Sequence, residues 1–262
     1  MSDLTDLELA LRLADRADAI TVAAFPRPDL VVETKPDRTP VSEADRAVEE
    51  EIRAGLAELR PGDRVVGEEL GDTGSGPRRW IIDPIDGTKN FVRRIPVWAT
   101  LLALEIDGLM SVGVVSAPAL GRRWWAARRE GAWVREGSGP PRRISVSKVD
   151  KLGDAHLSGA ALSSWDDWGG PGVYVDLATR CYADRSFGDF WSHVLVAEGV
   201  CDIGLDPIVS LWDLAPLIVI VEEAGGRFTN FGGEARADGG SAISSNGLLH
   251  EEVRSVLTGG PR

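Results

Sequence analysis

The hydrophobic period of the chain changes near Pro61-Gly62, and few architectures accommodate both patterns. Before that point apolar residues recur at helical spacing. Leu4, Leu7, Leu11, Ala14, Ala17 and Ala24, with Ile20 between them, follow candidate caps at Ser2 and Thr5 and stop near Pro26 and Pro28, which predicts a first amphipathic helix. A second starts at Ser42, whose partner Asp45 three positions on gives the capping-box spacing. Val48, Ile52, Leu56 and Leu59 share one face before Pro61 and Gly62 stop it. Beyond, the pattern shortens to β-type runs at Val65-Val66, Trp80-Ile81-Ile82, 97–106, 109–116, 123–127 and 132–134, with Asp107-Gly108 as a hairpin signal.

Glu136-Gly137-Ser138-Gly139-Pro140-Pro141 is the one clear composition break and reads as a loop joining two halves. After it, strands expected at 155–157, 202–205, 227–231 and 242–244 alternate with helices expected at 188–199, 211–224 and 248–257. Gly225-Gly226 supplies a left-handed stop after the second of these helices. The expected fold is mixed α/β (α+β), with sheets sandwiched between helix layers. Residues 1–137 form an antiparallel α+β half and 142–262 a more α/β half.

Charge narrows the partners. With 29 basic and 41 acidic residues the chain carries a formal −12, which disfavours a sequence-independent grip on nucleic acid. A phosphate bound here needs local help, such as a cation standing between it and a carboxylate cluster. No apolar run approaches the roughly 18 residues that span a bilayer, and the stretch from Asp3 to Phe25 is broken by Asp6, Glu8, Arg12, Asp15, Arg16 and Asp18. No membrane partner and a cytoplasmic location are expected. Cys181 and Cys201 form no CxxC, so neither a disulfide framework nor a zinc site is indicated.

The segment Trp80-Ile81-Ile82-Asp83-Pro84-Ile85-Asp86-Gly87-Thr88-Lys89-Asn90-Phe91 carries the most chemistry. Apolar residues run into Asp83, so its carboxylate should emerge at the end of a buried strand. Pro84 then restricts the backbone and Gly87 permits a tight turn. Two carboxylates three residues apart can converge on hard cations, with the Ile85 carbonyl as a further oxygen, and magnesium suits such a sparse oxygen set. Alone, the same spacing reads first as a solvated loop with an Asx turn.

The context is longer. Gly67-Glu68-Glu69, Asp83-Pro84-Ile85-Asp86-Gly87-Thr88 with Asn90-Phe91, and Leu211-Trp212-Asp213-Leu214-Ala215 before Glu223-Ala224-Gly225-Gly226 resemble, in order, the signatures of the inositol monophosphatase family. The resemblance takes in Lys35 to Asp45 and Gly113 to Pro118 and spans almost the whole chain. It implies a layered αβαβα sandwich, a homodimer and a phosphomonoesterase with two or three Mg2+ per active site. Glu68, Asp83 and the Ile85 carbonyl would hold the first metal, and Asp83, Asp86 and Asp213 the second. The metal motifs would then lie in the 1–137 half, and the 142–262 half would complete the site.

In the family pattern Thr88, polarised by Asp45, orients the attacking water on the metal held by Glu68, so Thr88, Asp45 and Glu68 are the catalytic candidates. Backbone amides of Gly87 and Thr88 would hold phosphate oxygens. Asp45 could equally be only the third position of a capping box, and Asp213 only a carboxylate favoured at a helix start. Glu69 is expected at the surface or behind the ligands.

The metal motif sets reaction type and leaves substrate open. Lys89 and Asp206 stand where inositol-selective members commonly have Thr and Glu. Arg122 to Arg128, Trp98 and Arg185 to Phe190 most resemble the actinobacterial-type histidinol-phosphate phosphatases, which act in histidine biosynthesis. Such a small phosphorylated substrate carries an amine and an imidazole, which an acidic pocket suits. Gly87, Thr88, Lys89, Asn90, Arg185, Asp189, Asp206 and Asp213 are the substrate-binding candidates. Asp189 reads equally as a helix cap, and Arg185 as a brace for a carboxylate. Core packing is expected for at least one of Trp124 and Trp125. Alternatives are an inositol-1-monophosphatase or another small sugar or nucleotide phosphatase, and, in a different class, a non-catalytic dimeric scaffold.

Overall fold

The structure, a computed structural model, describes residues 4–36 and 39–259; Ser2 and the Asp37-Arg38 part of the 35–45 segment lie outside them. Helix α1 (Asp6–Ala24) is capped by Thr5, with Glu8 closing the box, and α2 (Glu43–Leu59) by Ser42 with Asp45. Both starts follow the spacing seen in the sequence. A short hairpin, β1 (Val32–Thr34) and β2 (Pro40–Ser42), leads into α2.

The first sheet is assembled from β3 (Arg64–Gly67), β4 (Gly71–Thr73), β5 (Arg78–Asp86), β6 (Ala99–Ile106), β7 (Leu109–Ala117), β8 (Arg122–Ala127), β9 (Gly131–Glu136) and β10 (Arg142–Ile144). Their spatial order is β10-β9-β8-β7-β6-β5-β3-β4, and every neighbouring pair is antiparallel except β3 with β5. Asp107 and Gly108 both take positive φ, 51° and 79°, as a tight turn between twisted strands requires. The Gly-Pro segment after Glu136 turns within this sheet, because β10 pairs back onto β9, and the passage to the second sheet falls after Ile144.

Between β5 and β6 lies the short α3 (Thr88–Val92), which the turn-like sequence concealed. The second sheet comprises β11 (His156–Gly159), β12 (Ala183–Asp184), β13 (Ile203–Asp206), β14 (Arg227–Thr229) and β15 (Ala242–Ser245), in the order β12-β11-β13-β15-β14. Its helices are α4 (Pro171–Ala178), α5 (Asp189–Ala197), α6 (Leu211–Glu223) and α7 (His250–Leu257).

Two-residue alternation distributes the first sheet between two cores. Trp80, Ile82, Leu102, Leu104 and Trp125 pack with Leu9, Leu13, Val48 and Ile52 of α1 and α2. Ile81, Leu101, Ala103 and Trp124 pack with Phe190, Val194 and the apolar run Leu214 to Val221 of α5 and α6. The central helices are covered on their far side by the second sheet, whose outer residues Leu157, Ile203, Leu205 and Ile243 bury Tyr174, Leu177, Val253 and Leu257 of α4 and α7. The layers therefore run αβαβα. Being enclosed on both sides, α6 is apolar nearly all round, as a helix between two sheets must be.

Candidate active site

Packing on both faces of β5 holds the strand, and Asp83 emerges from it only 2% exposed. After Asp83 the pairing with β6 slips: Asp83 faces Leu101 and Asp86 faces Ala99, one residue more on β5 than on β6. Pro84, which has no N–H for the ladder, occupies that irregularity, and Thr100 Oγ1 donates to its carbonyl at 2.8 Å. Gly87 follows at φ 83°. A Cβ there would lie 3.0 Å from the Val97 carbonyl oxygen and 3.4 Å from an Asp189 carboxylate oxygen, so both conformation and space demand glycine.

Asp213 comes from the first turn of α6. Its Oδ2 accepts from the Ser210 N–H at 2.7 Å, so it caps its helix while its side chain faces the other carboxylates. Asp83, Asp86 and Asp213 each bring an oxygen within 4.8 Å of the others. Among the described residues Asp83 Oδ1 is buried without a hydrogen-bond partner, and Asp86 Oδ2 accepts from the Phe190 N–H at the start of α5, 2.7 Å away.

Burial pushes Asp83 well above the ordinary carboxylate range, and Glu68, Asp86 and Asp213 push it further. Asp86 is raised in the same way by burial, then by Asp189 and Asp213, against the Phe190 bond. Asp213 is pushed up to about 7, by burial first and then, against the Ser210 bond, by Glu68 and Asp206. An all-oxygen donor set with uncompensated charge and an orphaned buried oxygen fits a hard divalent cation.

Glu68 follows β3, and its N–H donates to the Ile82 carbonyl at 3.2 Å. Lys35 Nζ grips its carboxylate at 2.7 Å and that of Glu69 at 2.5 Å. Glu68 lies outside the 4.8 Å group, yet its charge contributes to the shifts of Asp83 and Asp213. Glu69, largely buried, stands behind it. Ile85 buries its side chain with Phe91 and Trp98, while its carbonyl accepts from Thr88 Oγ1 at 2.9 Å.

Asp45 is fully buried and serves two partners. Its Oδ2 accepts from Ser42 N–H at 2.8 Å and Ser42 Oγ at 2.6 Å, closing the cap, and its Oδ1 stands 3.4 Å from Thr88 Oγ1. Burial pushes it up to about 6, against the Ser42 bonds and with help from Glu69 and Glu68.

On the other flank, Asp189 opens α5 at φ 50°, a conformation a non-glycine residue adopts at a cost. Desolvation of its carboxyl by the surrounding chain, although the residue as a whole is exposed, and then Asp206 push it up to about 6, and Lys89 opposes them. Asn90 Nδ2 donates to the Val97 carbonyl at 2.9 Å and stands 3.4 Å from Asp189 Oδ2. Asp206 ends β13. A cleft of about 70 Å³ is lined by Asp86, Asp189, Phe190, His193, Asp206 and Asp213, among others. Arg185 is exposed on the loop before α5, where its Nη1 donates to the Asp184 carbonyl at 2.6 Å; none of its described contacts is with these carboxylates.

The tryptophans buttress this arrangement from behind. Trp124 packs on Phe190, centroids 6.1 Å apart, and donates to Glu198 at 2.8 Å, while Trp125 faces α1 and α2. Arg123 bridges to Asp15 at 2.7 Å and Asp18 at 2.6 Å on α1. Trp98 meets Phe91 edge-on at 5.0 Å under the Gly87 turn.

Two residues escaped the sequence reading. Glu49, fully buried, accepts from the N–H groups of Glu69 at 2.8 Å and Leu70 at 3.1 Å, shaping the loop that carries Glu68. His193, also fully buried, bonds Asp206. Each lies four residues after a candidate on its own helix, Asp45 or Asp189, and so on the same face. That spacing was the available signal.

The family model described as the inositol monophosphatase family matches residues 4–258. The chain belongs to this family. Among curated members it is 54% identical over 256 residues to a histidinol-phosphatase of Mycobacterium tuberculosis, covering 97% of this chain and 98% of that protein. A histidinol-phosphatase of Streptomyces coelicolor is 51% identical over 258 residues, covering 97% of each. Of solved inositol monophosphatase folds, the Thermotoga maritima IMPase superposes with a TM-score of 0.85 at 31% identity, covering 97% of this chain and 96% of that one.

Proposed function

We propose that this chain is a magnesium-dependent phosphomonoesterase that hydrolyses L-histidinol phosphate to L-histidinol and phosphate. The observation that carries the reaction type is the convergence of Asp83, Asp86 and Asp213 within 4.8 Å around an unpartnered buried Asp83 oxygen. The substrate rests on the relatives of M. tuberculosis and S. coelicolor, more than half identical over nearly the full chain, and on the carboxylates Asp189 and Asp206 beside the cluster.

In this reading Glu68, Asp83 and the Ile85 carbonyl would hold one Mg2+ and Asp83, Asp86 and Asp213 a second, with two or three expected in all. The ions supply charge neutralisation of the phosphate and acidification of water. Thr88 Oγ directs its hydrogen to Ile85 O or Asp45 Oδ1, which turns an oxygen lone pair toward the attacking water and orients it. Asp45, held in place through Oδ2 by Ser42, takes the Thr88 hydroxyl hydrogen at Oδ1 as Thr88 Oγ1 takes one from the water. Backbone N–H groups of Gly87 and Thr88 bind phosphate oxygens, while Lys89, whose charge acts on Asp189, and Arg185, exposed on the loop before α5, are further substrate contacts. Asn90 steadies Asp189, which with Asp206 accepts hydrogen bonds from the substrate's amine and imidazole. The 1–137 half thus contributes most metal ligands and the 142–262 half the rest of the site. The enzyme works as a cytoplasmic homodimer.

A panel assay of phosphate release with magnesium tests this. Histidinol phosphate is expected to exceed inositol 1-phosphate in kcat/KM by about tenfold or more, since a charge-assisted hydrogen bond outweighs a neutral one by that order. Equal efficiency would overturn the substrate assignment. Absence of magnesium-dependent release from every monoester would overturn the phosphatase reading and favour a scaffold.

A further inference from the structure

The carboxylate of Asp206 is held by a chain that reaches through the second sheet. His193 Nε2 lies 2.8 Å from Asp206 Oδ2, and His193 Nδ1 lies 2.8 Å from Ser244 Oγ. A carboxylate only accepts, so Nε2 carries the hydrogen and donates it. Oδ2 is thereby engaged, and Oδ1 remains as the oxygen for a ligand in the cleft.

Room for this chain is provided by a missing side chain. Gly204 pairs with Ser244 across β13 and β15, and two residues along the same strand face stands Asp206. A Cβ on Gly204 would lie 2.5 Å from Ser244 Oγ and 3.2 Å from His193 Nδ1. His193 and Ser244 are both fully buried, and the imidazole packs against Phe228 at 5.5 Å. The ring has one position to occupy.

Asp206 needs such a hold. Its charge raises Asp189 and contributes to the shifts of Asp86 and Asp213, so repulsion from that side would turn an unanchored carboxylate away from the cleft. The Nε2–H of the fully buried His193 ring supplies that hold.

We propose that His193, oriented by Ser244, is a positioning residue for substrate selection: its Nε2–H fixes Asp206 so that Oδ1 meets a cationic amine or imidazole of the phosphate ester. This rests on the reading that Asp206 faces the cationic end of the substrate. Hydrolysis of an ester without a cation, such as p-nitrophenyl phosphate, does not draw on it.

The test compares kcat and KM for histidinol phosphate and p-nitrophenyl phosphate, with magnesium, in full-length protein. His193→Phe is expected to raise KM for histidinol phosphate by about tenfold, while both constants for p-nitrophenyl phosphate stay within about twofold. His193→Gln, which places an N–H near the Nε2 position, should restore most of the loss. Ser244→Ala, the milder change should His193→Phe fail to fold, should raise KM for histidinol phosphate alone by about threefold. Equal losses on both substrates, or no change on either, overturn the proposal. Asp206→Asn separates the two layers. If it too leaves KM for histidinol phosphate unchanged, the substrate reading fails; if it raises KM while His193→Phe does not, only the positioning role fails.

Discussion

At single positions, charge dominates. Among the described residues Asp83 has one buried oxygen without a partner and four acidic neighbours acting on it, so removing its charge relieves repulsion while destroying the point where the cluster converges. Asp83→Asn is expected to cut phosphate release by about a hundredfold or more, equivalent to about 2.7 kcal/mol of barrier, and to leave the metal-free melting midpoint unchanged or higher. Turnover within about tenfold of wild type would contradict the assignment. Asp45 and Asp213 predict a pH dependence. Their carboxyls are raised from 3.8 to about 6 and about 7. Between 3.8 and those values the folded chain binds more protons than the unfolded chain, so these groups reduce stability as pH rises through that window. With metal chelated, Asp213→Asn, which keeps an oxygen for the Ser210 cap, should gain on wild type in melting midpoint between about pH 4 and pH 7. Parallel curves for the two proteins would count against the raised carboxyl.

Among elements, α6 must lie very close to the first sheet to carry Asp213 to Asp83. Gly113 of β7 allows this, because a Cβ there would lie 2.5 Å from both the Pro216 carbonyl oxygen and Val219 Cγ1. Gly113→Ala is expected to cost about 1 to 3 kcal/mol of stability as an overpacked contact, and to lower turnover as α6 shifts. Denaturant midpoints and phosphate release would read the two effects; an unaltered midpoint would show that the helix has slack. Glu49 plays a comparable part on the opposite flank. Its carboxylate is fully buried, salt-bridged to Arg53 at 2.8 Å and bonded to two backbone amides, and Gly67 leaves room for it. Glu49→Gln removes a buried charge from its partner and should cost about 3 to 5 kcal/mol by thermal or chemical melting.

For the molecule as a whole, the site is a seam. Asp83 and Asp86 come from the first sheet and Asp213 from the central helices, so a bound cation should tie those two layers together, while Asp206 brings the second sheet to the same cleft. Millimolar magnesium is expected to raise the melting midpoint of wild type and to do so less for Asp213→Asn, since an ion that binds only the folded cluster stabilises it by mass action. An identical response in both proteins would place the ion elsewhere. Both capped helices, the run of strands after Pro61-Gly62 and the turn at Asp83 to Gly87 were legible in the sequence because each rests on local rules, namely hydrophobic period, capping spacing, and proline and glycine at a turn; the αβαβα order came with the family resemblance. The carboxylates could be nominated only through the ordered motifs that resemble the inositol monophosphatase family, since local spacing alone reads as a turn and a helix start. Their convergence could not. Asp213 lies 130 residues beyond Asp83, and what joins them is the close packing permitted at Gly113. His193 and Glu49 read in the sequence as an isolated histidine and one acidic residue among many on a helix; their spacing of four from Asp189 and Asp45 gives only the shared face, and the partners they bond across strands and layers leave no trace in it. Residue type and spacing specify the elements and the chemistry they can offer; which oxygens meet, and which side chains hold them, depends on contacts between segments far apart in the chain.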